Sequence, residues 1–273
     1  MGTLYLVATP IGNLEDISAR ALRVLSEVRW IAAEDTRHTG ALLRHYGIQT
    51  PQLSYHAHSR PGRLQHLINL LEEGDLALVS DAGTPALNDP GYELVVAALE
   101  NGHKVSPIPG PSAPIAALVA SGLPTEAFLY LGYLPRKAAE RRERLEGASE
   151  LPFTLVFLET PHRLLESLED LEAILGDRPL AVARELTKLH EEIFRGKISE
   201  ARAHYQQQAP RGELTLVVAG RGPEPASAWP SEQVFAAIQA GLSEGIPPPE
   251  IASRLAAESG WPRREIYRLI LKT

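Results

Sequence analysis

The chain has no cysteine, which removes disulfides, thiolate zinc sites, iron–sulfur clusters and a cysteine nucleophile from consideration. Catalysis, if there is any, must use oxygen, nitrogen or a bound cofactor. Methionine occurs once, asparagine only at Asn13, Asn69, Asn88 and Asn101, and 22 of the 27 basic side chains are arginine. That composition leans towards a heat-tolerant or GC-rich source. Positive charge is scarce at the start of the chain, where Glu15 and Asp16 precede the first basic residue, Arg20. A secretory signal needs a basic leading segment, so a cytoplasmic protein is expected. The longest uncharged stretch, between Lys104 and Glu126, holds Pro107, Pro109, Pro111, Pro114 and Pro124. Prolines at that density leave backbone groups unsatisfied in lipid, which argues against a membrane helix. Neither a Gly-x-Gly-x-x-Gly fingerprint nor a Walker Gly-x4-Gly-Lys-[Ser/Thr] pattern occurs, so dinucleotide and P-loop chemistry are disfavoured. His38, His56, His58, His162 and His190 lack ligand spacing, and no metal is expected.

What is present is ordinary globular material. With 273 residues, 44% apolar and 22% charged, the chain is long enough for two compact domains with full cores. Short Val-, Leu- and Ile-rich runs alternate with helical patterns, which predicts an α/β fold. Strands are expected at Leu4 to Ala8, Val28 to Ala33, Leu53 to His56, Leu76 to Ser80, Val105 to Ile108 and Phe128 to Tyr133, these six units forming a doubly wound parallel sheet. Gly122 and Pro124 mark a hinge. Beyond it a mixed sheet is expected, with strands near Phe153 to Leu158, Leu180 to Arg184, Ile193 to Gly196 and Leu214 to Ala219. Helices are expected near Arg136 to Glu146, Pro161 to Leu175 and Glu200 to Gln208. A Pro-, Gly- and Ala-rich linker from Gly220 to Pro230 leads into a helical tail. The predicted organisation is a first α/β domain over 1–122, a second over 123–222 and a tail over 228–273.

No segment is basic as a whole. Residues 1–122 carry 8 basic and 12 acidic side chains, 123–222 carry 14 and 16, and 223–273 carry 5 and 6. A nucleic-acid partner must therefore be met through local patches. One is Arg136, Lys137, Arg141, Arg142 and Arg144; the other is Arg254, Arg263, Arg264, Arg268 and Lys272. Solvated helix faces have the same pattern.

Ligands of open α/β sheets sit beyond the carboxyl ends of strands. After the fourth strand comes Ser80-Asp81-Ala82-Gly83-Thr84-Pro85, where small residues let a ligand lie against main-chain amides while Asp81 or Thr84 fixes a polar end. A plain turn capped by Asp81 is the alternative. After the fifth comes Pro109-Gly110-Pro111-Ser112-Ala113, with Ser112 placed to cap a helix. Charged clusters end three other strands: Glu34-Asp35-Thr36-Arg37, Glu159-Thr160-Pro161-His162-Arg163 and Arg184-Glu185-Leu186-Thr187-Lys188. Each suits either a site or a structural ion pair. In the tail, Gly260 at a turn and Pro262 opening the next helix permit a helix-turn-helix, hence a DNA-binding module, or a small cap packing Ile251, Leu255, Ile266, Leu269 and Ile270.

These clusters, taken in order with Thr9-Pro10-Ile11-Gly12-Asn13-Leu14 at the front and Arg211-Gly212-Glu213 at the back, resemble the small-subunit ribosomal RNA methyltransferase branch of the tetrapyrrole methylase superfamily. The resemblance runs from about Leu4 to Gly220, and the tail is similar to that branch's helical extension. It implies S-adenosyl-L-methionine as cofactor, folded in the cleft between two domains. It implies transfer of a methyl group to the ribose 2′-hydroxyl of a cytidine in small-subunit (16S) ribosomal RNA, free or in the assembled small subunit, by a homodimer. Carried over by motif, the cofactor residues are Pro10, Ile11, Ser80, Asp81, Ala82, Gly83, Thr84, Ser112, Ala113, Leu158, Arg211, Gly212, Glu213 and Leu214. A ribose hydroxyl needs a base, for which Glu34, Asp35, Glu185 and Lys188 are candidates, Lys188 only if burial lowers its pKa. Arg37, Arg136, Lys137, Arg141, Arg163 and Arg184 would meet RNA. Two positions depart from the pattern: an Asn usually follows the paired histidines where this chain has His56-Ala57-His58-Ser59-Arg60, and Ala219 stands where an acidic residue is common. The competing functions are a porphyrinoid methyltransferase with the same cleft and a non-enzymatic DNA-binding regulator acting through the tail.

Overall fold

The computed structural model describes residues 1–56, 61–222 and 229–271. The expected features at Ala57 to Arg60, most of the Pro- and Gly-rich linker, and Lys272 lie outside the described residues. By internal contacts the chain divides into one unit over Met1–Gly220 and a second over Arg221–Thr273.

The larger unit holds two sheets. The first comprises β1 (Thr3–Val7), β2 (Trp30–Ala33), β3 (Gln52–Ser54), β4 (Leu76–Val79) and β5 (Lys104–Ile108) in the order β3-β2-β4-β1-β5, all parallel. Every residue of β4 is buried, as the apolar run demands of a strand covered on both faces. Helices α1 (Ala19–Glu27) and α2 (Thr36–His45) cover one face: Val24, Leu25, Leu42 and Leu43 pack with Val7, Ile31, Ala77 and Val79. The fully buried Leu25 alone contributes about 1.5–3 kcal/mol relative to an exposed side chain. Helices α3 (Pro61–Glu73) and α4 (Tyr92–Glu100) cover the other face, where Leu67, Leu71, Leu94 and Ala98 meet Leu4, Leu76 and Leu78. Neighbouring strands β1 and β4 thus send the chain to opposite faces, which opens a crevice at their carboxyl ends. An isolated bridge between Thr9 and Gly83 pins its two walls, with Thr9 N donating to Gly83 O at 2.9 Å and Gly83 N to Thr9 O at 3.0 Å.

The next helix, α5 (Ala113–Ser121), corrects one expectation. Its Ala117 and Leu118 pack on the second sheet, against Val156, Ala181, Ala183 and Val217, instead of on the first. The strand that follows, β6 (Phe128–Tyr133), therefore joins the second sheet and is not a sixth strand of the parallel one. That sheet continues with β7 (Thr154–Glu159), β8 (Pro179–Arg184), β9 (Glu192–Lys197) and β10 (Leu214–Val218) in the order β6-β7-β10-β8-β9. β6 and β7 are parallel and the remaining pairs antiparallel, so the sheet is mixed as expected. Its second face is covered by α6 (Ala138–Glu146), α7 (Leu164–Leu175) and α8 (Ile198–Gln207), through a core that includes Leu145, Phe157, Leu168 and Leu171.

Among its described residues the smaller unit has three helices, α9 (Ser231–Ser243), α10 (Pro248–Ser259) and α11 (Arg263–Ile270). Ile251, Leu255, Ile266 and Ile270 share its core with Val234 and Ile238. Gly260 ends α10 in the left-handed conformation and Pro262 opens α11, the turn chemistry legible in sequence. Trp261 donates from Nε1 to the Trp229 carbonyl at 2.8 Å.

Candidate active site

A cavity of about 240 Å³ lies in the larger unit, between the carboxyl-end loops of the first sheet and residues of the second. Ile11, Asp81, Ala82, Gly83 and Thr84 line it from the first sheet, Ser112 and Ala113 from the start of α5, and Leu158, Glu213 and Leu214 from the second sheet. These ten belong to the set assigned to the cofactor by resemblance. Of the rest of that set, Pro10 and Ser80 line a neighbouring pocket, and Arg211 and Gly212 line neither.

Two backbone devices build the cavity. Gly83 takes a φ of 81° where it bridges to Thr9, a conformation that a side-chain-bearing residue holds only under strain. Gly12 brings the β1 loop so close to the second sheet that a Cβ there would strike Lys188, Thr187 and Leu186. The non-glycine residues at positive φ, Ala86, Asn88, Glu185 and Thr187, fall in two loops: the one leading from β4 past the cavity, and the one following β8. Strain gathered in this way is held only where surrounding structure over-determines it.

The cavity is acidic. Glu34 and Asp81 exchange bonds with each other's loops: Asp81 N donates to Glu34 Oε2 at 3.3 Å, and Asp35 N donates to Asp81 Oδ1 at 3.1 Å. Asp89, a residue that sequence reasoning missed, joins them on the wall. Burial pushes its carboxyl up to about 6, a hydrogen bond from Ser80 opposes that, and the negative charges of Glu34 and Asp81 add to it. Tyr130 and Tyr133 were also missed. Burial raises both phenols, Tyr130 to about 12, and the buried Tyr130 hydroxyl has no hydrogen-bond partner among the described residues. Ser112 stands at the N-cap of α5, yet its hydroxyl makes no capping bond. An Asp-Pro-Gly run resembles a plain turn, so Asp89 carried little signal; the Tyr130 and Tyr133 signal was the strand itself.

The other charged residues divide sharply. Asp35 caps α2, accepting from Arg37 N at 2.8 Å, and pairs with the Arg37 guanidinium, which together hold its carboxyl far below the usual range. An ion so stabilised is a poor base. Lys188 is corrected as a base candidate: partial burial works against its charge, but Glu185 at 2.8 Å and Glu213 at 3.2 Å outweigh burial and raise its pKa. Glu185 is lowered in turn, first by the hydrogen bond from Lys188.

Three of the residues expected to meet RNA are engaged within the protein. Arg141 is 3% exposed and donates from Nε to Asp170 at 2.6 Å, beside a second bond from Arg142 at 2.7 Å. Arg163 donates to the carbonyls of Leu134 and Pro135 at 2.6 and 3.1 Å and lies 3.5 Å from the buried Glu159, which also accepts from Ser167. Arg184 is committed to Glu192 at 2.9 Å. Arg141 is engaged with a buried carboxylate, and Arg163 and Arg184, each about one-fifth exposed, also hold partners within the protein. Arg37, Arg136 and Lys137 are exposed. Among the described residues no group of three or more potential ligands could hold a metal ion, and no helix is long and apolar enough to cross a membrane.

The arrangement fits S-adenosyl-L-methionine. Main-chain N–H groups at the start of α5 suit its carboxylate, the acidic wall suits its ammonium and sulfonium charges, and Ile11, Leu158 and Leu214 supply apolar surface. Comparison with known proteins agrees on the fold and extends it. The model for Tetrapyrrole (Corrin/Porphyrin) Methylases matches residues 3–202. A Synechocystis sp. protein named ribosomal RNA small subunit methyltransferase I is 47% identical over 274 residues, covering 100% of this chain and 98% of that one. A Thermotoga maritima protein of the same name is 47% identical over 222 residues, covering 100% of that protein but 81% of this chain. Among solved structures, a cobalt precorrin-4 methyltransferase of cobalamin biosynthesis superposes with a TM-score of 0.61 at 15% identity, over 80% of this chain and 94% of that one.

Proposed function

The chain belongs to the tetrapyrrole methylase family, and from that membership we propose that it uses S-adenosyl-L-methionine to methylate the ribose 2′-hydroxyl of a cytidine in small-subunit (16S) ribosomal RNA. The observation that carries the chemistry is the cavity walled by Glu34, Asp81 and Asp89 and closed by the start of α5. The choice of ribosomal RNA over a porphyrinoid is supported by the shared name of relatives that match across nearly the whole chain. The proposal includes a cytoplasmic homodimer, for which Ile115, Val119 and Leu189 supply exposed apolar surface.

When bound, S-adenosyl-L-methionine supplies an electrophilic sulfonium methyl group. The protein's share is to bind, align and deprotonate. The α5 amino end would hold the carboxylate, and Asp81 and Asp89 would balance the positive charge. Glu34, one oxygen of which accepts from Asp81 N, would take the proton of the ribose hydroxyl as that hydroxyl is methylated. A positioned base of this kind is worth about 10²–10⁴ in rate, and alignment of oxygen and methyl carbon contributes about 7–11 kcal/mol in favourable cases. Arg37, Arg136 and Lys137 meet phosphate.

The test is tritium transfer from labelled S-adenosyl-L-methionine to small ribosomal subunits from cells lacking this gene, beside naked RNA and a porphyrinoid. Label on one ribose of the small subunit is the expected result; label on the porphyrinoid alone overturns the substrate, and no label anywhere overturns the activity. Removing residues 231–273 is expected to leave transfer in place. DNA binding that vanishes with the tail, without methylation in either form, supports the regulator instead.

A further inference from the structure

A second pocket, of about 290 Å³, adjoins the cofactor cavity and shares Asp81 with it. Its walls are Pro10 and Leu14 from the β1 loop and Ala41, Leu42 and His45 from α2. It differs from its neighbour in character: the cavity is ringed by carboxylates, whereas in this pocket Asp81 is the single carboxylate among the lining residues. The helix forming its outer wall reads Thr-Arg-His-Thr-Gly-Ala-Leu-Leu-Arg-His, with two arginines, two histidines and no acid in a chain of net charge −7. Arg37 at the head of that helix pairs with the N-cap Asp35 at 2.6 Å, and its side chain is 90% exposed.

We infer that this pocket receives the nucleobase of the ribonucleotide whose 2′-hydroxyl is methylated, with the basic side of α2 following the adjacent phosphates. The inference rests on the proposed reaction and adds the substrate's place in it. In a nucleotide the 2′-hydroxyl and the base leave adjacent ribose carbons. A hydroxyl delivered to the methyl donor in the first cavity therefore carries its base into whatever space directly adjoins. The shared Asp81 wall makes this pocket that space, and apolar walls accept the flat face of an extruded base. A base held here is removed from the stack, so the ribose is presented without its neighbours in the way.

Ala41 is exposed on α2, so Ala41→Trp fills the pocket from outside the core with little risk to folding. Wild type and variant are compared on small subunits carrying either the natural target nucleotide or an abasic one, with cofactor affinity followed by calorimetry. In the expected result Ala41→Trp leaves cofactor affinity within twofold of wild type and weakens binding of the natural substrate at least tenfold. The abasic substrate binds wild type and variant alike. Wild-type substrate affinity and turnover in Ala41→Trp, with ribose methylation intact in the wild type, overturn the pocket assignment alone. Failure of the wild type to methylate ribose at all overturns the proposed reaction, and the pocket assignment with it.

Discussion

Both halves of the larger unit carry buried or half-buried carboxylates, and they meet opposite fates. In the second half Glu159 accepts from Ser167 and Thr160 N beside Arg163, Asp170 on α7 is clamped by Arg141 and Arg142, and Glu185 is held by Lys188. In the first sheet Glu34, Asp81 and Asp89 face a cavity together, and their described hydrogen bonds come from main-chain N–H groups or a serine, with no cation between them. A buried pair is costly to break but has nothing left to offer a substrate. Like charges crowded around a cavity without a counter-ion are held in reserve for a cationic ligand. The difference between ornament and machinery therefore lies in whether a partner is already present.

The sharpest way to test that contrast is Glu34→Gln, which keeps the hydrogen bond from Asp81 N and removes the base. Single-turnover transfer should fall by about 10²–10⁴ with Tm unchanged; wild-type turnover would assign the proton to another group. Arg141→Ala should do the reverse. It leaves the buried Asp170 with Arg142 alone and should cost less by denaturant unfolding than the about 3–5 kcal/mol of a wholly unpaired buried charge, while transfer per folded molecule stays at the wild-type level. Asp35→Ala loses the N-cap of α2 and the Arg37 pair, so a smaller fall in Tm is expected, with no loss of cofactor affinity.

The subtlest difference is in Asp89→Asn. The Asp89 carboxyl sits at about 6 in the folded protein against 3.8 as a free side chain, so between those values the folded state holds the extra proton. Stability contributed by this group therefore falls as pH rises from about 4 to about 6 and stays low above that. Asp89→Asn should raise Tm relative to wild type at pH 8 and by less at pH 5. A Tm difference that does not change with pH would remove Asp89 from the acidic cluster.

Much of this was legible beforehand, for identifiable reasons. Strands such as Leu76–Val79 are buried on both faces and must read as unbroken apolar runs. Gly83, Gly260 and Pro262 mark turns whose dihedrals few residues tolerate. The loop from Ser80 to Thr84 stood out because small residues expose backbone, and it does line the cavity except for Ser80. The sheet to which β6 belongs was not legible, because it depends on which sheet α5 packs against, and Ala117 and Leu118 would bury equally well on either. Arg141 on a helix of alternating charge looked like a solvated face; its partner Asp170 lies 29 residues away on α7.

Sequence alone determined the α/β class, the small-residue loops at the strand ends and the helical tail, because local periodicity and turn chemistry act over a few residues, and its ordered motifs carried the resemblance to the family. Tertiary structure decided which ionisable groups are free to act. Glu34 and Asp81, 47 residues apart, and Lys188 between Glu185 and Glu213 acquire their charge environment only when distant strand ends are brought together. Desolvation and the nearest opposite charge are set by that packing, and they, more than residue type, separate a base from a structural ion.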